Sequence, residues 1–556
     1  MKIRSTITAI VLLSISVSAI AFGAEKAHNP TDIRLNTLGY LPAANKQATI
    51  ISQCSDFTVK KAGSNNTVYS GKVSGPFHQQ DVNQTVWIAD FSEVNKPGKY
   101  YLDVPGVGES YKFEIGDKVY DSALYTSMRA FYMWRCGTAV EGDYNGIHFS
   151  HPACHLNEGL LDYVGEPNGT KDGTGGWHDA GDYYKYTVNA GITVASLFFA
   201  WEQYQDKLKD LSLNIPDTAK GFPDFLKEIK WEIDWLFKMQ YPDGSGRVYH
   251  KLSALNFCGF IMPERERLKQ YYVDWSSTGT ADFIAMMAMS ARFFKPYDAE
   301  YAQKCLDAAK VSYDFLAKNP DHKKADQDAF KTGTYRSADH DDRLWAAAEM
   351  WETTGDTNYL KDFETRAGAL DDKITLYWDW NDVNNLGMFT YISSSRTGKN
   401  AALVEDIKKD LIATADKIVA NAEKDIYGRP TGDKYKWGCN GTVAREVITL
   451  MMANKVSPNP EYVNAAQNTV DHIFGRNYYG RSYVTGLGHN PPMYPHDRRS
   501  GADKIKEPWP GYIIGGGHSA TDWQDDQQSA STNEIAINWQ AALVYALAAV
   551  TETQSK

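Results

Sequence analysis

Basic residues are too few in this sequence for a protein that binds polyanions. Its 556 residues include 58 Lys and Arg against 69 Asp and Glu, which gives a formal net charge of −11 at pH 7. Nucleic acids and anionic membrane surfaces bind proteins through clusters of positive charge. We therefore expect neither as a partner, whereas a neutral ligand makes no such demand.

Long hydrophobic runs are missing after the first 24 residues. A membrane-spanning helix needs about 20 consecutive apolar residues, so we expect no membrane span. At the N-terminus, Lys2 and Arg4 precede an apolar run from Ile7 to Ile20, and small residues follow as far as Ala24. This pattern is typical of a secretory signal peptide. We expect residues 1–24 to be removed and the protein to be secreted; the alternative is an uncleaved anchor.

Cysteine is scarce, with six residues in 556, and exported proteins usually use it for disulfides. Two of the six have neighbours that suggest another use. Cys136, Cys154, His155 and His178 offer two thiolates and two imidazoles, a complete tetrahedral zinc set with no open position. The sequence leaves open a structural zinc that holds nearby loops and a Cys136–Cys154 disulfide. We interpret the remaining cysteines as mostly buried thiols.

The pattern along the chain predicts two unequal domains, because one hydrophobic core rarely organises this length. Residues 29–116 alternate in short apolar and polar runs with turns between them, which predicts a small β-sandwich. Residues 117–556 follow a helical period and predict eleven or twelve helices. Small apolar residues on both helix faces indicate that each helix packs against two neighbours. We expect a mainly α protein with two concentric rings of helices.

The loop from Gly175 to Tyr184 is the strongest chemical signal in the sequence. It places Asp179 and Asp182 three residues apart among glycines and aromatic residues. Two carboxylates beside a flat aromatic surface can activate water next to a bound sugar ring. The alternative is an acidic turn that caps a helix or holds calcium.

Two further segments carry polar groups that suit the same chemistry. A Gly- and Pro-rich loop from Ser482 to Arg498 presents His496 and Arg498, which alone would suggest a surface turn. Later, a polar run with Asp525 leads to Glu534 at the start of the apolar helix that ends the chain. The three motifs, in this order, resemble glycoside hydrolase family 9, the inverting cellulases.

The resemblance implies an (α/α)6 barrel, preceded by an immunoglobulin-like β-sandwich, with the three motifs on loops at one end. It implies that Asp182 is the general base, that Asp179 helps to hold the water, and that Glu534 is the general acid. The apolar neighbours of Glu534 are consistent with a raised pKa, although a glutamate in the first turn of a helix is the ordinary alternative. His496 and Arg498 would bind sugar hydroxyls, and Asp525 would support the site by pairing with one of them.

Aromatic side chains and metal sites complete the prediction. Four aromatic residues are candidate sugar-stacking platforms, with burial in the core as the alternative: Trp177, Tyr183, Trp437 and Trp523. Members of the family with an immunoglobulin-like module carry zinc at positions that match Cys136, Cys154, His155 and His178. Relatives also bind calcium, and acidic groups at Asp341, Asp342 and Asp382, or at the turn that begins with Asp243, are candidates without a defined ligand set.

The sequence departs from the family pattern near Glu534. Ala530 stands where an aromatic residue is usual, and Gln540 stands where an Asn is usual. We expect a monomeric endo-β-1,4-glucanase acting on cellulose or β-glucan. The alternatives are an exo-acting enzyme on cello-oligosaccharides, xyloglucan or chitosan oligomers, and a non-catalytic polysaccharide-binding protein.

Overall fold

The computed structural model describes residues 29–157, 159–161, 163 and 169–552 of the chain. The predicted signal peptide, residues 1–24, lies outside these described residues. Among the helices of the described part, none has both the length and the apolarity needed to cross a bilayer.

Two β-sheets pack face to face at the N-terminus and confirm the predicted β-sandwich. One sheet has the strand order β1-β3-β7-β6, and the other has the order β2-β10-β8-β4-β5, with β9 paired to β8. Along β4, Phe57 and Val59 point into the core while their neighbours face outward, the period-2 alternation of a half-buried strand. The strands are β1 (Ile33–Arg34), β2 (Gly39–Tyr40), β3 (Gln47–Ile50), β4 (Asp56–Lys61), β5 (Thr67–Lys72), β6 (Ser74–Gln79), β7 (Gln84–Asp90), β8 (Gly98–Val104), β9 (Gly108–Glu109) and β10 (Phe113–Ile115).

Helices build the rest of the molecule and confirm the (α/α)6 barrel. In the described residues they are α1 (Asp121–Met133), α2 (Thr187–Leu208), α3 (Asp224–Met239), α4 (Ser277–Phe294), α5 (Ala299–Lys318), α6 (His340–Thr354), α7 (Thr357–Gly368), α8 (Asn384–Ser393), α9 (Ala401–Lys424), α10 (Cys439–Val456), α11 (Pro460–Ile473), the short α12 (Ala530–Asn533) and α13 (Ile537–Glu552). Helices α2, α4, α6, α8 and α10 are buried on nearly all sides, whereas α5, α7 and α9 bury one stripe. The first set therefore forms the inner ring and the second belongs to the outer ring.

Local sequence explains where several helices begin and end. The Ser276 side chain accepts a hydrogen bond from the Gly279 backbone N–H at the start of α4, and Asp298 caps α5 in the same way through Tyr301. Helix α6 ends at Gly355, whose φ of 74° lies in the left-handed region that glycine adopts without strain. Such caps fix the points at which the chain leaves the barrel to form its loops.

Shorter strands lie between the first helices. Strands β11 (Val140–Tyr144) and β12 (Ile147–His151) form a hairpin. A five-stranded sheet has the order β14-β13-β17-β16-β15, built from β13 (Gly159–Leu160), β14 (Thr170–Lys171), β15 (Lys185–Tyr186), β16 (Tyr249–Ala254) and β17 (Gln270–Trp275). Because β15 directly follows the loop with Asp179 and Asp182, this sheet fixes one end of that loop.

The β-sandwich is joined to the barrel by buried hydrogen bonds. The Thr37 hydroxyl donates to the Phe474 carbonyl (2.7 Å) and accepts from the His489 backbone N–H (3.0 Å). The Asn36 side-chain amide donates to Asp471 on α11 (2.8 Å). The two domains therefore share satisfied polar groups that separation would expose.

We predict that Thr37→Val lowers the free energy of unfolding by about 1–3 kcal/mol, because it leaves the His489 N–H without its acceptor and removes one of the two hydrogen bonds that residue 37 donates to the Phe474 carbonyl. Thermal unfolding by calorimetry measures the change. Thr67→Val, on an exposed position of β5, is the matched control. Equal melting temperatures for the two variants would contradict this role of the interface.

Candidate active site

Three loops that are far apart in the sequence meet at one end of the barrel. Ala180 pairs with Ala536, and His496 pairs with Glu534, through isolated β-bridges. The Arg498 backbone N–H donates to the Gly181 carbonyl (3.1 Å). Backbone hydrogen bonds thus bring together the carboxylates of the first and third motifs.

A close backbone contact explains why the residue between the two aspartates, Gly181, is a glycine. A Cβ atom at this position would lie 1.9 Å from the His496 carbonyl oxygen. Any side chain would therefore push the acidic loop away from the loop with His496 and Arg498.

Asp179 and Asp182 are both buried, and each accepts hydrogen bonds from neutral donors. Asp179 accepts from the Asn189 amide (2.7 Å) and the Tyr335 hydroxyl (2.6 Å). Asp182 Oδ2 accepts from the Tyr186 hydroxyl (3.1 Å), whereas the buried Oδ1 has no hydrogen-bond partner among the described residues. Both carboxyl groups are fixed, but Asp182 keeps one oxygen available.

Neighbouring charges and hydrogen bonds give the two buried aspartates different pKa values. Desolvation, reinforced by repulsion from Asp182, raises the pKa of Asp179 to about 8. Desolvation also raises the pKa of Asp182, but the positive charge of Arg498 and the Tyr186 hydrogen bond oppose it, so that this pKa is about 6. Asp182 is therefore the member of the pair that ionises more readily, although the two titrate as a coupled pair.

Glu534 lies just before the last helix rather than in its first turn. It follows α12, and α13 begins only at Ile537, so the predicted position at a helix start was wrong. The residue is half-buried, and its backbone is held by a β-bridge to His496 and by a hydrogen bond from the Gly515 N–H to the Glu534 carbonyl (2.8 Å). Desolvation and repulsion from Asp182 raise the pKa of Glu534 well above 4.5. The side chain thus retains a proton more readily than an ordinary glutamate.

His496 and Arg498 lie beside these carboxyl groups. His496 Nδ1 is 2.7 Å from the Gln527 carbonyl oxygen, which fixes the ring. Arg498 donates through Nε to the Cys258 carbonyl (3.0 Å) and through Nη1 to the Gly181 carbonyl (2.8 Å). Its charge favours the ionised forms of Asp182 and Glu534.

Asp525 does not pair with Arg498 or His496, so that prediction was wrong. Its carboxylate pairs with Arg481 (2.8 Å) and accepts the backbone N–H groups of Met493 (2.9 Å) and Tyr494 (2.9 Å). These bonds hold the loop that precedes His496. Asp525 supports the site through the backbone rather than by contact with its polar side chains.

The four predicted aromatic platforms differ in their exposure to solvent. Trp437 is 51% exposed, and its side chain interacts with the Glu534 carboxyl. The other three are buried, so the platform prediction was wrong for Trp177, Tyr183 and Trp523. Trp177 donates to Glu228 (2.8 Å), and Trp523 donates to Asn533 (2.9 Å); burying an indole or phenol requires such a partner.

Cys136, Cys154, His155 and His178 form a buried cluster that can hold a metal ion. One ligand atom from each residue lies within 4.8 Å of the others, and Cys154 Sγ is 3.7 Å from His178 Nε2. Tetrahedral zinc with thiolate and imidazole ligands separates its donors by roughly 3.3–3.8 Å. Both cysteines are free thiols, which excludes the alternative disulfide in this structure. Among the described residues, neither His155 Nδ1 nor His178 Nδ1 has a hydrogen-bond partner.

Glu266 completes the surroundings of the cluster, and the sequence pattern did not predict it. Its carboxylate lies 3.3 Å from His155 Nε2. A carboxylate that orients a histidine is the usual outer partner of a metal ligand. Tyr183 packs its ring against both His155 and His178, so this residue belongs to the metal cluster rather than to the cleft.

Three of the candidate calcium ligands form hydrogen bonds or an ion pair within the protein. Asp341 accepts the Val383 N–H (2.7 Å), and Asp382 accepts the Thr375 hydroxyl (3.0 Å). Asp243 pairs with Arg247 (2.5 Å). The calcium prediction stays a prediction.

Sequence reasoning missed several residues that hold the carboxylates: Asn189, Tyr335, Tyr186 and the buried Lys251, whose charge favours ionised Asp182. Tyr186 lies two residues after the acidic motif, so its proximity in the sequence was a usable signal. Tyr335 lies 156 residues from Asp179, and no local pattern marks it.

Comparison with known proteins agrees with this geometry. The profile of glycosyl hydrolase family 9 matches residues 120–547, and that of the cellulase N-terminal Ig-like domain matches residues 28–109. Endoglucanase D of Acetivibrio thermocellus is 58% identical over 518 residues, which cover 93% of this chain and 83% of that protein.

Solved structures give the same result. A metagenome-derived glycoside hydrolase family 9 endoglucanase superposes with a TM-score of 0.87 at 33% identity, covering 93% of this chain and 98% of that one. A zinc-binding triple mutant of a family 9 endoglucanase gives a TM-score of 0.86 at 31% identity, with 92% and 99% coverage. The extent of these matches shows that the chain belongs to glycosyl hydrolase family 9.

Proposed function

We propose that the protein is an endo-β-1,4-glucanase that hydrolyses cellulose or related β-glucans with inversion at the anomeric carbon. The observation that carries this proposal is the meeting of Asp179, Asp182 and Glu534 at one loop junction, where their environments hold protons differently. The similarity to endoglucanases supports the substrate class.

Glu534 is suited to be the general acid. Hydrolysis needs a proton for the leaving glycosidic oxygen, and a carboxyl group with a raised pKa still carries that proton near neutral pH. The half-buried position leaves the group accessible from the cleft. As the proton leaves, Arg498 stabilises the negative charge that develops on Glu534.

Asp182 is suited to be the general base. Its Oδ2 is held by Tyr186, and its Oδ1 accepts no hydrogen bond from the described residues. Oδ1 is therefore the atom that would take a proton from the attacking water. An inverting enzyme keeps this base and its acid about 6.5–9.5 Å apart so that the water fits between them. Asp179 would orient the same water from the second side.

A cleft that only binds polysaccharide has no need for this arrangement. Burying carboxyl groups is unfavourable unless a function or a partner compensates for their desolvation. A neutral sugar chain is bound equally well by amides, hydroxyls and aromatic faces. The two buried aspartates and the half-buried Glu534 therefore favour hydrolysis over binding without cleavage.

We infer that the Cys136–Cys154–His155–His178 cluster binds structural zinc. Two thiolates and two imidazoles satisfy a tetrahedral ion and leave no position for substrate. His178 precedes Asp179 directly, and the His178 N–H donates to the Trp134 carbonyl (2.9 Å). These residues would thus fasten the acidic loop to the segment after α1.

We also propose that the protein acts outside the cytoplasm, as the N-terminal segment of basic, apolar and small residues suggests. An extracellular or periplasmic location would give the enzyme access to a polymer that cannot enter the cell. Cell fractionation with an antibody to the barrel tests this location, and retention in the cytoplasm would refute it.

We predict that Glu534→Gln and Asp182→Asn each reduce turnover by about 10²–10⁴-fold, because each removes one partner of general acid–base catalysis. Viscosity and reducing ends are followed together on carboxymethylcellulose. Endo cleavage lowers viscosity before reducing ends accumulate, whereas an exo enzyme does the reverse. The exposed Glu300→Gln variant should behave as wild type. Wild-type turnover in either site variant would contradict the role assigned to that residue.

The pH profile of kcat/KM should lie at higher pH than ordinary aspartate and glutamate side chains would produce. The base must be ionised, so kcat/KM should fall as the pH drops through about 6, the raised pKa of Asp182. The acid must be protonated, so kcat/KM should also fall at a pH above the raised pKa of Glu534. Initial rates on cellopentaose from pH 4 to 10 measure both limbs. An acid limb near pH 4, the range of an unperturbed aspartate, would contradict the assigned environment of Asp182.

Metal analysis should find one zinc per chain in the wild-type protein. Cys136→Ser should lower both the zinc content and the melting temperature, because it removes a ligand from a closed site. The matched control is Cys54→Ser, which replaces a half-buried thiol in the β-sandwich. This variant protein should retain the zinc content of the wild type. Unchanged zinc content in Cys136→Ser would refute the site.

A further inference from the structure

Lys251 is a fully buried cation on strand β16. Within the described part of the chain it forms no ion pair. Its Nζ instead donates to the Gly333 carbonyl (2.7 Å) and to the Thr332 hydroxyl (3.2 Å). Burying a charge without a directly paired countercharge is unfavourable. The position of this lysine therefore calls for a reason other than the stability of the fold.

The pairing of β15 with β16 places Lys251 beside Tyr186. The two residues are direct partners in the antiparallel register, and Lys251 Nζ lies 5.7 Å from the centroid of the Tyr186 ring. Side chains two residues apart on a strand share one face, so Ser253 points the same way as Lys251. The Ser253 hydroxyl lies 2.7 Å from that of Thr332. Two side chains of β16 thus hold the segment of residues 332–335.

This segment is connected to Asp182 through Tyr186. The Gly333 backbone N–H donates to the Tyr186 hydroxyl oxygen (3.2 Å), and the Tyr186 hydroxyl donates to Asp182 Oδ2 (3.1 Å). Because the Tyr186 oxygen accepts from Gly333, its single proton is directed to Asp182. Oδ1 is then the Asp182 oxygen without a hydrogen-bond partner among the described residues. The placement of Gly333 therefore determines which oxygen can act as the base.

The same segment also reaches the second aspartate. The Tyr335 hydroxyl donates to Asp179 (2.6 Å), and the Tyr335 backbone has a φ of 41°, in the left-handed region that is unfavourable for a bulky residue. Such a conformation persists only where the surroundings fix it. The Thr334 carbonyl accepts from the Gln327 amide (2.8 Å) and lies 2.7 Å from His250 Nε2, again on β16. Strand β16 therefore anchors a segment that contacts both hydrogen-bonded aspartates.

The charge of Lys251 acts in the same direction as its hydrogen bonds. Two cations that favour ionised Asp182 and two carboxyl groups that oppose it surround the residue: Arg498, Lys251, Asp179 and Glu534. Desolvation lowers the pKa of Lys251 to about 7, and the charge of Arg336 lowers it further, whereas the charge of Asp182 opposes this shift. An amine with this pKa still carries its charge at pH 6, where Asp182 ionises.

We propose that Lys251 is a positioning residue for the general base. It holds Gly333 so that Tyr186 keeps its hydrogen bond to Asp182 Oδ2, and its positive charge keeps that carboxylate ionised. Lys251 is fully buried and would touch neither the sugar nor the attacking water, so it acts only through Tyr186 and through its field. This inference rests on the proposed function, because the role of Asp182 as base belongs to it.

Initial rates on cellopentaose across the pH range test this role. Lys251→Met removes the charge and the N–H donors, so kcat should fall roughly tenfold or more while KM changes by less than about twofold. The acid limb of kcat/KM should move up by roughly 0.5–1 pH unit, the effect of losing one nearby positive charge. Lys251→Arg keeps the charge and should keep the limb near that of the wild type. The matched control is Lys46→Met, because Lys46 is a buried lysine of the β-sandwich that also donates to backbone carbonyls; it should lower the melting temperature and leave the kinetics unchanged.

A second variant, Tyr186→Phe, removes the hydroxyl between Gly333 and Asp182. In the double variant with Lys251→Met, the loss of kcat should be smaller than the product of the two single losses, as for residues of one network. Wild-type kcat and acid limb in Lys251→Met, or losses that simply multiply, would overturn the positioning role and leave the glucanase assignment intact. If Lys251→Met does not fold, Tyr186→Phe decides alone, and an unchanged acid limb overturns the proposal. If the wild type cleaves no β-glucan, the proposed function fails and this role fails with it.

Discussion

Withdrawal of three carboxyl groups from water is the constraint on which the rest of this active site depends. Asp179, Asp182 and Glu534 are placed where desolvation favours their protonated forms. A single mobile carboxylate would turn toward solvent and escape this effect. The site therefore needs fixed loops, neutral hydrogen-bond donors and positive charge, supplied by Arg498 and Lys251, that keeps part of the cluster ionised. Each of these features is present, and together they produce an acid and a base in one cleft.

The barrel and the metal cluster share the task of fixing those loops. Helices α2 and α13 carry the acidic loop and the Glu534 segment to the same end of the inner ring, and Gly181 permits the close backbone contact between motifs. On the other side, the Cys and His cluster holds the residue before Asp179. Tyr183, which donates to the Ile261 carbonyl, and Glu266 extend this rigid region to the loop between β16 and β17. Catalytic positions and candidate metal ligands thus belong to one connected network.

The sequence was sufficient for the fold class and for most of the polar site, because both follow from local patterns. Helical and strand periods are visible over a few turns, and Asp179, Asp182, His496, Arg498 and Glu534 belong to compact motifs. Predictions that depend on tertiary packing were less successful. Trp177, Tyr183 and Trp523 look like stacking residues in the sequence but are buried, and Asp525 pairs with Arg481 instead of Arg498. Tyr335 and Glu266 belong to no motif, because only the folded chain brings them to the site.

The most direct test of the account is the anomeric form of the first product. Cellopentaose or a soluble β-glucan is mixed with the enzyme, and proton NMR spectra are recorded before mutarotation equilibrates the anomers. If water on Asp182 attacks while Glu534 protonates the leaving oxygen, the new reducing end appears first as the α-anomer. Initial accumulation of the β-anomer would contradict the account, because it would require a covalent intermediate on a carboxylate instead of direct attack by water.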